Sequence, residues 1–145
     1  MSYSEQQIWQ LTEPLRQSLG NNITWSFDER LNMMLSEFAQ NKSQQVLSSL
    51  RETLIDEWHD KSWKHQPSVL KNALADFAKL KKGQRILALA ADQQTPTLVA
   101  LWWPWDHGGT YSLRIKLIEQ SYQVTPEQGS SSGVIAWLKG LFTGF

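Results

Sequence analysis

Apolar side chains return every three or four positions through rather more than half of the chain, which is the spacing of amphipathic helices. The pattern predicts four helices. Ser4 and Gln7 have capping-box spacing at the start of the first, and Pro14 either kinks that helix or starts a second short one. Ser26 and Glu29 mark the start of the second helix in the same way. The predicted apolar stripes are Ile8, Leu11, Leu15 and Leu19; Phe27, Leu31, Met34, Leu35 and Phe38; Val46, Leu47, Leu50, Leu54 and Trp58; and Val69, Leu70, Ala73, Leu74 and Phe77.

A strand pattern replaces the helical one from Arg85 to Tyr122. Three apolar runs separated by turn residues predict an antiparallel meander. The second run is apolar on both faces, so we expect a central strand that is covered on both sides. The third run alternates, and its polar face carries Thr110, Ser112, Arg114 and Lys116. The sequence therefore predicts an α+β fold with four N-terminal helices, a three-stranded antiparallel β-meander and a C-terminal amphipathic helix.

The last 17 residues, 129–145, form the segment called the tail here. Residues 129–133 are glycine and serine, which is typical of a flexible linker. The domain prediction is thus a single α+β domain over 1–128, a linker over 129–133 and an amphipathic helix over 134–145. The apolar stripe of that helix is Val134, Trp137, Leu138, Leu141, Phe142 and Phe145.

A helix of this length is marginal in water, so the stripe of the tail must pack on something. The choices are the chain's own sheet, the groove of a partner protein and, as a peripheral contact, a membrane surface. Lys139 is the one charged residue of the tail, and a single cation gives little attraction to anionic lipid. The predicted function is a small non-enzymatic protein–protein interaction module, such as an adaptor, chaperone-like or regulatory protein, with the stripe as its partner-binding surface.

The amino-acid composition is compatible with that prediction, and it excludes several other kinds of protein and site. A chain of 145 residues with 41% hydrophobic and 19% charged residues is typical of a globular domain rather than a disordered one. It has no cysteine, which excludes disulfides, thiolate metal sites and a cysteine nucleophile. No apolar run has the roughly 18 residues of a membrane span, and the first residues lack the pattern of a signal peptide. We therefore expect a cytoplasmic protein that is not an integral membrane protein.

Charge is balanced overall but not locally. The net charge is zero, while residues 61–85 carry seven basic residues against Asp76 alone. This segment makes a weak nucleic-acid binder an alternative function, because lysines release counterions from phosphates. Helical spacing scatters the lysines of the predicted fourth helix around its axis, so nucleic acid is an unlikely partner by this pattern.

Motifs with catalytic or metal-binding chemistry are weak in this chain. Residues 129–133 match G-x-S-x-G, but no strand precedes the match and no histidine follows it, as a serine hydrolase requires. Asp56, His59 and Asp60 would share a helix face with metal-ligand spacing, although an exposed helix end explains them better. We therefore predict no catalytic residue, no metal and no cofactor.

The loop between the second and third predicted strands is the alternative site. The chain has eight tryptophans, and three lie in or beside this loop. Strand alternation places Trp102 and Trp103 on opposite faces, so Trp103 and Trp105 are the pair that can share a surface. Asp106 and His107 follow, as an acid–base pair or as turn residues. A small-ligand binder or enzyme with its site at Trp103, Trp105, Asp106 and His107 is the second functional hypothesis.

Overall fold

The computed structural model describes residues 3–77 and 79–124. Three α-helices and six β-strands lie in this part of the chain, and short 3-10 turns occur at Gln40–Lys42, Trp63–His65 and Ala75–Phe77. None of these helices is both long enough and apolar enough to cross a bilayer. In chain order the elements are α1 (Glu5–Ser18), β1 (Ser26–Asp28), β2 (Met33–Ala39), α2 (Ser43–Thr53), β3 (Asp56–Trp58), α3 (Ser68–Ala73), β4 (Arg85–Leu89), β5 (Thr97–Pro104) and β6 (Thr110–Ile118).

The strands form one antiparallel sheet in the order β1-β2-β6-β5-β4-β3. The three strands expected from the sequence are β4, β5 and β6, and they pair as a meander with β5 in the middle. The predicted architecture of four N-terminal helices on a three-stranded sheet is nevertheless wrong. The α+β class is right, but β2 pairs with β6 from Met34 to Ala39, and β3 pairs with β4.

The predicted second helix is the main error, since this segment forms β1, a turn and β2. Its apolar residues fit helical spacing, but Met34 and Phe38 also lie on one face of a strand. Asn32 adopts a positive φ of 54°, which a helix does not tolerate. Asp28, expected in the first turn of a helix, instead accepts a hydrogen bond from the backbone N–H of Leu31 at 3.2 Å and closes the turn.

The predicted third and fourth helices exist but are shorter than expected. The third, α2, ends at Thr53, and Trp58 lies on the edge strand β3 instead of the helix stripe. The fourth, α3, ends at Ala73 and is followed by the 3-10 turn Ala75–Phe77. Pairing with β4 satisfies backbone hydrogen-bonding groups of β3. No local sequence signal indicates this pairing.

The first helix agrees with its prediction. Ser4 and Gln7 exchange the two hydrogen bonds of a capping box, at 2.9 and 3.2 Å. Pro14 lies within a single continuous helix, so the alternative of a second short helix is wrong. The apolar stripe is buried at Ile8 and Leu15, which holds α1 against the sheet.

The sheet is covered on both faces, as the apolar pattern of β4 and β5 requires. Helices α1 and α2 cover one face, where their buried residues pack with Leu87, Ala100 and Leu113. Helix α3 and the 3-10 turns Trp63–His65 and Ala75–Phe77 cover the β3–β5 part of the other face, where Leu70 and Leu74 pack with Leu101. The described residues therefore supply both covers of β4 and β5. The tail, which the sequence offered as one of these covers, lies outside the described residues.

Candidate binding surface

The second face of the sheet is open over only part of β2 and β6, because Met33 and Ile118 of these strands are buried in the core of that face. Register places Leu35 beside Arg114 and Glu37 beside Ser112, and Ser112 beside Trp103 on β5. The elements that cover the rest of this face extend as far as Trp103, whose ring packs edge-on against Phe77 with 5.5 Å between ring centroids. Leu35 is half-buried and belongs to neither core cluster. The open face is defined here as Leu35, Glu37, Trp103, Trp105, Ser112 and Arg114.

Trp105 is the exposed aromatic side chain of the open face. It is 44% exposed, and among the described residues only Ile55 is another large hydrophobic residue with such exposure. Its indole Nε1 donates a 2.7 Å hydrogen bond to Oγ of the buried Ser112. The backbone N–H of Trp105 also donates to the carbonyl of Thr110, at 2.8 Å. The ring is therefore held in position before any partner binds, which lowers the entropic cost of binding.

Arg114 supplies a guanidinium with spare hydrogen-bonding capacity next to that ring. Its side chain is 22% exposed, and its Nε lies 3.7 Å from Oδ2 of Asp28. That distance allows electrostatic attraction but is too long for a hydrogen bond. The buried Nε has no hydrogen-bond partner in the described part of the chain. A partner would therefore meet the exposed part of the side chain, where a carboxylate or carbonyl oxygen can accept a charge-assisted hydrogen bond from the guanidinium.

The Asp106–His107 pair of the sequence hypothesis is not arranged as a catalytic dyad. The Nδ1 atom of His107 accepts a hydrogen bond from the backbone N–H of Gly109 at 2.9 Å. Because Nδ1 is an acceptor, the neutral ring carries its proton on Nε2. The imidazole packs edge-on against Trp105, with 5.7 Å between ring centroids. Within residues 3–77 and 79–124, Asp106 makes no hydrogen bond or ion pair to His107. The histidine closes the loop.

The structure does bring the four residues of that hypothesis together. Trp103, Trp105, Asp106 and His107 line one open pocket of about 630 Å³. Trp102 lies on the opposite face of the sheet in the core, as strand alternation predicts. The pocket also contains residues that were not part of this loop hypothesis, from β2, β6 and the basic segment before β4. They are Glu37, Lys81, Gln84, Ser112 and Arg114. The pocket therefore combines two acidic residues, Glu37 and Asp106, with two basic residues, Lys81 and Arg114, around tryptophan side chains.

The residues with metal-ligand spacing, which the sequence did not favour as a metal site, do not come together. Asp56 is on β3, where its Oδ2 accepts a 2.7 Å hydrogen bond from the hydroxyl of Tyr122. Burial raises the pKa of Asp56, and the bond from Tyr122 partly opposes that rise. His59 and Asp60 form a separate exposed contact at 3.5 Å. No group of three or more metal-ligating residues occurs among the residues described.

The basic segment does not form one surface either. Lys61, Lys82 and Arg85 line one pocket, whereas Lys64 and Lys71 line another. Arg85 is also paired, since its guanidinium donates a 2.7 Å hydrogen bond to Oε2 of Glu57. These cations therefore line at least two different pockets, and Arg85 is already paired with an acid.

The predicted partner-binding residues of the tail, 134–145, lie outside the described residues, so the open face is the site that the structure defines. Comparison of the chain with protein-family models, with curated proteins and with solved structures gives no significant match in any of the three. Its function must therefore be inferred from the chemistry of this surface.

Proposed function

We propose that this protein is a non-enzymatic protein–protein interaction module and that its open face contacts the partner. One observation carries the proposal. A half-exposed tryptophan, Trp105, is fixed by hydrogen bonds and lines the same open pocket as Arg114, whose side chain is 22% exposed. Tryptophan and arginine are the residues most enriched at the energetic centres of protein interfaces.

The surroundings of this pair also favour a protein partner. Leu35 offers apolar area, and Glu37 adds an exposed acid on the same face. Apolar centres with polar and mixed-charge rims are typical of non-obligate interfaces. Strands β2 and β6 are rigid elements of the sheet, so the surface needs little ordering when a partner binds.

The test is affinity capture with the full-length chain as bait. Trp105→Ala and Arg114→Ala should each abolish capture of the same proteins. Ile55→Ala is the matched control for the tryptophan, because Ile55 is 58% exposed but lies outside the open face. Arg30→Ala is the control for the arginine, because Arg30 is exposed in the turn after β1. If all four variants capture the same proteins as the parent chain, the open face is not the binding surface.

A small-ligand binder is the second candidate, and the pocket beside Trp105 favours it. Its volume of about 630 Å³ lies in the range of roughly 300 to 1,000 Å³ that is usual for ligand sites. The pocket is open to solvent on the sheet surface, whereas ligand sites bury most of their ligand. A ligand that raises the melting temperature of the parent chain, but not that of Trp105→Ala, would favour this candidate. The nucleic-acid alternative stays a prediction, and binding that does not weaken with salt would contradict it.

A further inference from the structure

We propose that the partner of the open face presents a basic side chain, an arginine or a lysine, which lies on the ring of Trp105 and pairs with Glu37 or Asp106. The inference deepens the proposed function and rests on it, because it names the chemistry of the partner at that same surface. The observations that carry it are the position of Glu37 beside the ring, the balance of charge around the ring, and the accessibility of the ring itself.

Glu37 lies directly beside the Trp105 ring. Register pairs Glu37 of β2 with Ser112 of β6, so the two side chains share one face of the sheet with their Cβ atoms about 5 Å apart. The Oγ of Ser112 accepts the 2.7 Å hydrogen bond from the indole Nε1 of Trp105. All three residues line the same open pocket. An exposed carboxylate is therefore the neighbour of an aromatic ring that is held in position.

The charges closest to the ring are mostly acidic. Glu37 and Asp106 are exposed, and neither carboxylate takes part in a hydrogen bond or an ion pair within residues 3–77 and 79–124. Arg114 lines the same pocket, but Oδ2 of Asp28 already lies 3.7 Å from its Nε. Three acids thus surround one base at this end of the pocket. An oxygen that reaches Arg114 is better supplied by a neutral carbonyl group than by a carboxylate, because a carboxylate would meet these acids.

Lys81 and Lys116 lie further from the ring. The backbone N–H of Lys81 donates a 2.8 Å hydrogen bond to Oε1 of Gln84, which directly precedes β4. Strand β4 is three strand spacings from β2, which separates Gln84 from Glu37 by about 14 Å. Lys116 follows Ser112 by four residues along β6, or about 13 Å. Both separations exceed the Debye length of roughly 10 Å at 0.1 M salt, so each lysine offsets the charge of Glu37 only weakly.

The Trp105 ring is accessible to a cation from outside. The ring is 44% exposed, and His107 meets it at an angle of 72°, so the imidazole covers at most one of its two faces. Arg16 stacks on Trp9 of α1, whereas no lysine or arginine of the described chain lies over Trp105. A tryptophan face attracts a cation that lies within about 6 Å of its centroid. A basic side chain in that position can pair with Glu37 or Asp106 at the same time, which an arginine does with its planar guanidinium.

NMR titration of the isotope-labelled full-length chain tests the proposal. The probes are blocked amino acids, acetylated at the α-amino group and amidated at the carboxyl group: arginine, lysine, citrulline and glutamate. Citrulline is the matched control, because it has the shape of arginine without its charge. The indole N–H signal of Trp105 is the reporter, and Trp105→Phe identifies it among the eight tryptophans. We expect the basic probes to shift this signal saturably and to bind at least about fivefold more tightly than citrulline.

Two substitutions test the carboxylates, because they remove charge and keep shape. Glu37→Gln combined with Asp106→Asn should weaken the binding of the arginine probe at least about fivefold. Glu52→Gln is the control, since Glu52 is an exposed acid of α2 on the opposite face of the sheet. That control should leave the affinity within about twofold of the parent value, because charge at such a distance is screened.

The outcomes separate this inference from the proposed function. The absence of a saturable shift with both basic probes, an equal affinity for citrulline, or tighter binding of glutamate would each overturn the inference. Capture of proteins by the open face is measured separately. If Trp105→Ala abolishes capture but the basic probes do not bind, only this inference fails. If the basic probes bind but Trp105→Ala leaves capture unchanged, the proposed function fails, and the claim about its partner fails with it.

Discussion

The hydrogen bond between Tyr122 and Asp56 connects the segment after β6 to the edge strand β3, and its removal gives a prediction with a clear sign. Tyr122→Phe deletes the hydroxyl and leaves a ring that is 6% exposed and packed near Trp58. The lost bond is 2.7 Å long and has a carboxylate acceptor. Such bonds contribute about 1.5 to 3 kcal/mol to stability. For a chain of this size, the melting temperature should fall by about 5 to 10 °C.

The effect should depend on pH. Burial raises the pKa of Asp56, and the Tyr122 hydroxyl opposes this rise. A raised pKa in the folded state means that the contribution of Asp56 to stability is fully present below its unfolded pKa and is lost as pH rises through the folded pKa. In Tyr122→Phe the hydrogen bond that opposes the rise is absent, so the pKa of Asp56 rises further. The loss of stability with increasing pH is therefore larger in the variant. The deficit of the variant should therefore be greater near neutral pH than at an acidic pH below the raised pKa of Asp56.

Urea unfolding at the two pH values measures this difference. Tyr111→Phe is the control, because Tyr111 is half-buried and its hydroxyl makes no hydrogen bond within the described chain. We expect that control to change stability by less than about 0.5 kcal/mol at either pH. A deficit of Tyr122→Phe that is equal at the two pH values, or equal to that of the control, would refute the reasoning.

Three further variants test the fold and the open face. Arg51 and Arg85 hold the pKa of Glu57 below its ordinary value despite burial. Glu57→Gln should thus cost about 1 to 3 kcal/mol at pH 7, and the cost should vanish as pH falls through that lowered pKa, which urea unfolding measures. Thr97→Val removes two hydrogen bonds to the backbone, at 2.7 and 3.0 Å, from a fully buried hydroxyl, and calorimetry should show a loss of about 1 to 3 kcal/mol. Trp105→Ala should keep the native circular dichroism spectrum and lose only about 1 kcal/mol, since the side chain is 44% exposed and makes one side-chain hydrogen bond.

The meander could be predicted from sequence because its signals are local. Apolar runs of strand length, separated by turn residues, specify β4, β5 and β6 without reference to other parts of the chain. The capping box at Ser4 and Gln7 is local in the same sense, and both of its hydrogen bonds form. In each case the residues that decide the structure are neighbours in sequence.

The segment over 26–39 could not be predicted in this way because a distant partner decides its structure. Met34 and Phe38 satisfy helical spacing and strand alternation equally well. Pairing with β6, more than 70 residues later, selects the strand. Asn32 at a positive φ was the one local signal against a continuous helix, since asparagine tolerates that conformation better than most residues.

The candidate site was partly predictable for the same reason. Trp103, Trp105 and His107 lie in one turn region, so their proximity follows from local sequence. The sequence pattern already placed Arg114 on the polar face of the third predicted strand. Glu37 could not be included, because its place beside Ser112 depends on the pairing of β2 with β6.

The affinity of the full-length protein for its captured partner tests the central claim most directly. If the open face is the binding surface, Trp105→Ala should raise the dissociation constant by at least about 30-fold, the equivalent of an interface hot spot of about 2 kcal/mol. Ile55→Ala, which truncates an exposed apolar side chain elsewhere, should leave the constant within about twofold of the parent value. Equal and small changes in both variants would contradict the account.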